Sequence, residues 1–299
     1  MTSFAELKRS SKTSLSKLTE EVQKLNKPNV NYGEDDRFWK PTVDKAGNGY
    51  AVIRFLPTPN ADEVPFTRVW DHGFQGPTGK WYIEKSLTTI GKEDPVSQHN
   101  SKLWATGLEE NREIARDRKR RLKFISNIYV IKDTAHSENE GKVFLFEYGK
   151  KIFAKLNDLM NPEFEGETAV NPFDLWNGAT FTLKIRKGDG GFRNYDKSEF
   201  SSPCALFDDD DKLEEVFNQT YALAEFTDPS KFKTYEELER KFLSVIGESE
   251  DRPSKPTSEM REARPSTPKE KPAEKAPWDE EDEDDEALKY FENLRDRDD

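Results

Sequence analysis

Apolar residues alternate with polar ones through most of the chain up to Phe200, and recur every three or four positions in a few later stretches. The alternation is densest in YAVIRFLP (50–57), TRVWDHGF (67–74), KWYIEKSLTTI (80–90), KFISNIYVIKD (123–133), KVFLFEYG (142–149) and ATFTLKIRKGDGGFRNY (179–195), all rich in β-branched and aromatic residues. Each predicts a strand. The segments AGNG, GPTGK and GDGG predict the turns between them. Helical spacing appears in KKIFAKLNDLM (150–160), DKLEEVFNQTYALAEF (211–226) and TYEELERKFLSVIG (234–247), the last closing on a glycine as helices commonly do. These patterns predict a mainly β fold with helical additions (α+β), and a small Greek-key barrel of the OB-fold type leads among the candidates.

The N-terminal segment places Phe4, Leu7, Leu15, Leu18, Val22 and Leu25 on a narrow stripe closed by Pro28. So thin a stripe builds no core alone; a helix packed on its own domain and a helix docked on another molecule both fit it. After Gly247 the pattern ends. Residues 248–277 are rich in Pro, Lys, Glu and Ser and read as a flexible linker. Residues 278–299 open with Trp278 and eight consecutive acids, then add Tyr290 and Phe291. The expected organisation is therefore an arm (1–27), a core (28–247) with a small subdomain, a linker (248–277) and a disordered acidic tail (278–299) whose Trp278, Tyr290 and Phe291 dock on partners.

Composition sharpens this division. Hydrophobic residues make up 33% and charged residues 35%, against about 45–50% and about 25% in ordinary globular domains, so part of the chain is expected not to pack. Cys204 is the only cysteine, which leaves no internal disulfide and fits a reducing compartment. With no run of about 18 apolar residues and no apolar signal-peptide core, the chain is expected to be unsecreted and without a membrane span. The net charge of -12 hides a segregation: residues 112–132 hold eight Lys/Arg against two acids, whereas 278–299 hold twelve Asp/Glu against three cations.

A single strand of nucleic acid presents a line of phosphates and unstacked bases, and its binders combine a cationic groove with aromatic platforms. The run Arg118, Lys119, Arg120, Arg121, Lys123 supplies the cations and leads into Phe124; Phe146 and Tyr148 follow at period two on the next strand. Farther on, Arg186, Phe192, Arg193 and Tyr195 surround the glycines of GDGG. All twelve are candidates for DNA contact. Enzymatic motifs are missing: there is no Walker loop, G-x-S-x-G, H-E-x-x-H or dinucleotide fingerprint. The acids at 208–211 are better read as a helix N-terminus than as a magnesium site. The expectation is a binding protein, not an enzyme.

AGNGYAVIRFLP, HGF with GKWYIE, ENEGKVF with YGKKI, and GFRNYDKSEF, in that order, resemble the single-stranded DNA-binding (gene 32) proteins of T4-like phages. The resemblance implies an OB-fold core that coats single-stranded DNA without sequence preference during replication, recombination and repair, in the cytoplasm of the infected bacterium. It also implies an arm engaging neighbouring copies, here Lys8, Arg9, Ser10, Ser11, Lys12 and Thr13 of LKRSSKTS. The acidic tail would contact replication and recombination proteins such as a polymerase, a helicase loader and a recombination mediator. RNA binding or strand annealing is the alternative that the same residues leave open. The family's core holds a zinc through one histidine and three cysteines; this chain keeps His72, but Ser86 and Val96 stand at the first two cysteine positions and His99 near the third. With His72 and His99 as the remaining weak candidates, and an acid such as Asp94 beside them, no zinc and no other cofactor is expected. Trp70, Trp81, Tyr82 and Trp104 are then the residues expected to fill a substitute core.

Overall fold

The computed structural model describes residues 35–60, 62–188 and 191–248. The chain divides into two units, Met1–Phe38 and Trp39–Asp299. In the described end of the first, Asp35 accepts hydrogen bonds from the Arg37 backbone N–H (3.1 Å) and guanidinium Nε (2.9 Å). The predicted arm and tail, with Lys8, Arg9, Ser10, Ser11, Lys12, Thr13, Trp278, Tyr290 and Phe291, and the predicted linker beyond Glu248 lie outside the described residues.

The second unit is α+β. After the two-residue β1 (Phe38–Trp39) come β2 (Gly49–Phe55), β3 (Thr67–Gln75), β4 (Trp81–Lys85), α1 (Pro95–Ala105), α2 (Glu109–Arg118), β5 (Arg121–Asp133), β6 (Val143–Tyr148), α3 (Lys150–Met160), β7 (Thr180–Lys187), β8 (Arg193–Asn194), β9 (Glu199–Phe200), α4 (Asp210–Phe217) and α5 (Tyr235–Ile246). The sheet runs β6-β5-β2-β7-β8, with β3 pairing β4 and β5, and β9 pairing β7. β5 organises it: β6 occupies residues 124–129 on one edge, while β3 takes 121–125 and β2 takes 128–133 on the other, all antiparallel. A register shift between Val52 and Ile53 skips Ile131, a bulge that bends the strand and leaves Ile131 at the surface.

The predicted strands are all present, and the helix over 150–160 has the predicted bounds. α5 ends on Gly247 at φ 82, with a Thr234/Glu237 capping box at its start. Asp209 caps α4 by accepting from the Asp211 N–H, as the run of acids suggests. That helix stops at Phe217 and not at Phe226, because the Asn127 side chain donates to the Tyr221 carbonyl and accepts from its N–H (both 2.9 Å), which takes both backbone groups out of a helical ladder. α1 and α2 were not foreseen. In α2 the only apolar residues are Ile114 and Ala115, so it has no apolar stripe; Glu109 and Glu110 in its first turn and Arg116 and Arg118 in its last complement the helix dipole instead.

The main core lies inside the sheet under α3, where Phe124 stacks on Phe153 with centroids 3.9 Å apart. A second core joins Phe74, Tyr82, Leu87 and Val96 to Leu238, Phe242 and Val245 of α5. Of the four residues expected to fill a substitute core, Tyr82 does so. Trp104 is buried beside Ala115, Trp70 is half-buried against the main core, and Trp81 is 58% exposed. The correction for Trp81 follows from strand alternation, which puts it on the face opposite Tyr82. The turn after β3 packs closely on α5: a Cβ at Gly76 would lie 2.3 Å from the Val245 carbonyl oxygen.

Candidate nucleic-acid interface

The basic run begins in the last turn of α2 and ends in β5, and most of its side chains are held. Arg112 and Arg116 lie 5.0 and 5.3 Å from the centre of the Trp104 ring, Arg118 lies 5.6 Å from that of Phe74, and Arg120 lies 4.3 Å from that of Trp70. A guanidinium resting on a ring is held there by its face, and Arg116 Nη1 also donates to Glu109 Oε1 at 2.6 Å. Stacking therefore stiffens a long side chain. Arg121 crosses β3 and donates to the Gly73 carbonyl (2.9 Å), and Lys119, between helix and strand, is exposed.

Lys123 is different. Its ammonium sits 2.6 Å from Asp71 and 2.8 Å from Glu147. Burial alone would lower it, but the hydrogen bonds to Asp71 and Glu147 outweigh burial and raise it above its ordinary value. A cation already matched by two carboxylates has little charge left for phosphate, which corrects its assignment to the contact set.

Three of the expected stacking rings are also corrected. Phe124, Phe146 and Tyr148 are 0, 2 and 4% exposed. The period-two spacing does place Phe146 and Tyr148 on one face of β6, but register pairs Phe146 with Ser126 and Tyr148 with Phe124, on the core side of the sheet. Phe146 meets Trp39 edge-on at 5.1 Å, and the Tyr148 hydroxyl lies 2.9 Å from Ser126 Oγ. No base stacks on these rings without unpacking the core.

The β7–β8 hairpin keeps its predicted character. Gly188 N–H donates to the Phe192 carbonyl (2.8 Å) and Gly191 takes φ 82, a turn that leaves the Phe192 ring 78% exposed. Register sets Lys187 directly opposite Arg193, and Arg186 opposite Asn194. Like charges facing each other across strands are destabilising unless an anion lies between them. Tyr195 is half-buried against the main core, and Arg186 lies 3.7 Å from Asp196.

Two outward aromatics were not singled out for this role from the sequence. Tyr50, 41% exposed, stands opposite Lys184 across β2 and β7. Trp81 and Ile83, 58 and 66% exposed, share one face of β4, with Ile83 opposite the Gly73 that Arg121 covers. Alternation in YAVIRF and KWYIEK separates their face from the core face, but only tertiary packing says which face is outside.

The zinc implied by the resemblance does not fit the residues present. His72 is 1% exposed and both ring nitrogens are engaged, Nδ1 with the Arg118 carbonyl (3.0 Å) and Nε2 with Asp94 (3.1 Å). Val96 is buried in the second core, Ser86 caps the short helix Leu87–Ile90, and His99 meets Phe242 edge-on at 5.0 Å. Among the described residues no group of three or more His, Cys, Asp or Glu is arranged to hold a metal.

An antiparallel-sheet domain carrying ring-supported guanidiniums and a cation-flanked outward phenylalanine is of the class that receives polyanions. The family model described as gp32 DNA binding protein like matches residues 47–246, and the chain belongs to that family. It is 42% identical over 241 residues to the single-stranded DNA-binding protein of Enterobacteria phage T4, covering 78% of each chain. It is 44% identical over 221 residues to that of Enterobacteria phage T2, covering 72% of this chain and 71% of the relative. A third relative, the single-stranded DNA-binding protein of Escherichia phage SV14, is 48% identical over 81 residues, 26% of this chain and 71% of its own. Among the described residues no helix is long and apolar enough to cross a membrane.

Proposed function

We propose that this protein binds single-stranded DNA without sequence preference, coating it in the infected host's cytoplasm during replication, recombination and repair. The observation that carries the reading is the β7–β8 hairpin: an outward Phe192 beside Lys187 and Arg193, two cations that face each other in register. Phosphates relieve that repulsion while the ring takes a base. The guanidiniums supported by Trp104, Phe74 and Trp70 extend the electrostatic track, and Tyr50 and Trp81 add platforms. Nothing in this arrangement poises a nucleophile or a general base, and the relatives carry the names of binding proteins; we read the chain as a non-enzyme.

The sheet is read as an OB-fold, a reading supported by β5 bending at its bulge to serve β3 and β2 on one edge. The finer assignments rest on sequence. The arm with Lys8, Arg9, Ser10, Ser11, Lys12 and Thr13 would make coating cooperative. The tail with Trp278, Tyr290 and Phe291 would recruit a polymerase, a helicase loader or a recombination mediator.

Titrating the full chain with oligo-dT while following tryptophan emission tests the central claim. Quenching that saturates and weakens steeply with salt is expected, and a matched RNA strand should compete less well. No change in emission in dilute buffer would reject the function, and preferential binding of the RNA strand would transfer it to RNA.

A further inference from the structure

We propose that His72 and Asp94 form a metal-free clasp that positions the basic run for phosphate, a role that rests on the DNA-binding reading above. His72 is on β3 and Asp94 caps α1; both are 1% exposed. The imidazole spans the two: Nε2 lies 3.1 Å from Asp94 Oδ1 and Nδ1 lies 3.0 Å from the carbonyl oxygen of Arg118, the last residue of α2. A carboxylate oxygen and a carbonyl oxygen thus face the two ring nitrogens, one each.

Each group sits at a helix end. The imidazole lies at the C-terminus of α2, beside a carbonyl that helix geometry leaves without an intrahelical partner, and the carboxylate lies at the N-terminus of α1, where the dipole favours it. Asp94 is fully used: Oδ1 also accepts from the Val96 and Ser97 N–H groups (3.0 Å each), and Oδ2 accepts from the Leu87 N–H (3.2 Å). Burial works to raise this carboxyl, but the hydrogen bond and charge of His72, with the backbone donors of Ser97 and Leu87, hold it below its usual range. One side-chain pair thus joins β3, the turn after β4, α1 and α2.

A metal needs a bare imidazole nitrogen and free carboxylate lone pairs. The clasp engages both His72 nitrogens and surrounds Asp94 with backbone donors. What it fixes is the point of departure of the basic run: Lys119, Arg120 and Arg121 follow the capped carbonyl directly, and Arg120 reaches the Trp70 ring two residues later.

Three measurements on the full chain test this. Protein from zinc-supplemented culture should contain far less than one zinc per chain, and EDTA should leave its melting temperature unchanged; stoichiometric zinc whose removal unfolds the protein overturns the clasp. In ¹⁵N nuclear magnetic resonance Asp94→Asn should shift the His72 ring signals, and unchanged ring signals overturn the contact. Asp94→Asn and Asp94→Ala, studied where circular dichroism shows them folded, should lower the log affinity against log salt slope for oligo-dT by about 0.7–1.4, one to two phosphates' worth, with Asn closer to wild type. Adding Arg120→Ala to Asp94→Ala should then change the slope little. Fully additive slopes overturn the positioning role while leaving DNA binding intact. A wild-type chain that ignores oligo-dT fails the DNA reading, and with it the positioning role; the clasp is then judged on zinc content and the ring signals.

Discussion

Replacing Phe192 by alanine separates the two halves of the proposed interface. The ring is 78% exposed, and the turn that carries it is held by backbone contacts, Gly188 N–H to the Phe192 carbonyl and Gly191 N–H to the Gly188 carbonyl. Truncation should therefore cost the fold no more than about 0.5 kcal/mol, as for other exposed substitutions. If a base stacks there, the variant forfeits about 1–3 kcal/mol of binding, roughly a 5- to 150-fold rise in Kd. No charge is removed, so the slope of log affinity against log salt should not move. Lys187→Ala or Arg193→Ala should instead reduce that slope by up to about 0.7 each for single strands. Fluorescence anisotropy of a labelled dT oligonucleotide at four or five salt concentrations reads both quantities from one data set, with thermal melts as the control for folding. Wild-type affinity in Phe192→Ala, or an altered slope, refutes the assignment of stacking to this ring and of charge to its neighbours.

Lys123→Met should leave the salt slope unchanged, because Asp71 and Glu147 already match that charge, while lowering stability by about 1 kcal/mol in urea titrations, the upper range for partly exposed pairs. Gly76→Ala should destabilise by about 1–3 kcal/mol, since the new Cβ meets Val245 backbone 2.3 Å away and the turn and α5 must part; an unchanged urea midpoint would sink the close packing of turn and helix. His99 should make the fold acid-sensitive. Burial, with the nearby charges of Arg118 and Lys102, outweighs Glu248 and depresses the imidazole below its ordinary value. The unfolded chain therefore takes up the proton first, and stability is lost as pH falls from the unfolded value of about 6.5 through the folded one. His99→Phe should flatten that part of the pH–stability curve, and an unchanged curve contradicts the assignment.

Much of this protein is local and hence legible in its sequence. Period-two runs define the strands, a capping box and Gly247 bound α5, and the acids before α4 mark its start, because strand pleat, helix period and caps are properties of neighbouring residues. The hairpin with Arg186, Phe192 and Arg193 was legible for the same reason: its turn chemistry and its charges lie within one short segment. Which side of a strand faces water is not local. Phe124, Phe146 and Tyr148 were read as candidates for DNA contact but face the core, whereas Tyr50 and Trp81 point outward, because only the packing of α3 and α5 decides which sheet face is covered. Nor is pairing between distant side chains: Asp71 and Glu147 neutralise Lys123, and His72 reaches Asp94 and the Arg118 carbonyl, through contacts that sequence separation conceals. Residue type fixed the strands, the starts of α4 and α5 and the segregation of charge along the chain; the three-dimensional packing alone chose which cations and which rings remain for a polyanion, because burial and ion pairing depend on neighbours brought together by folding.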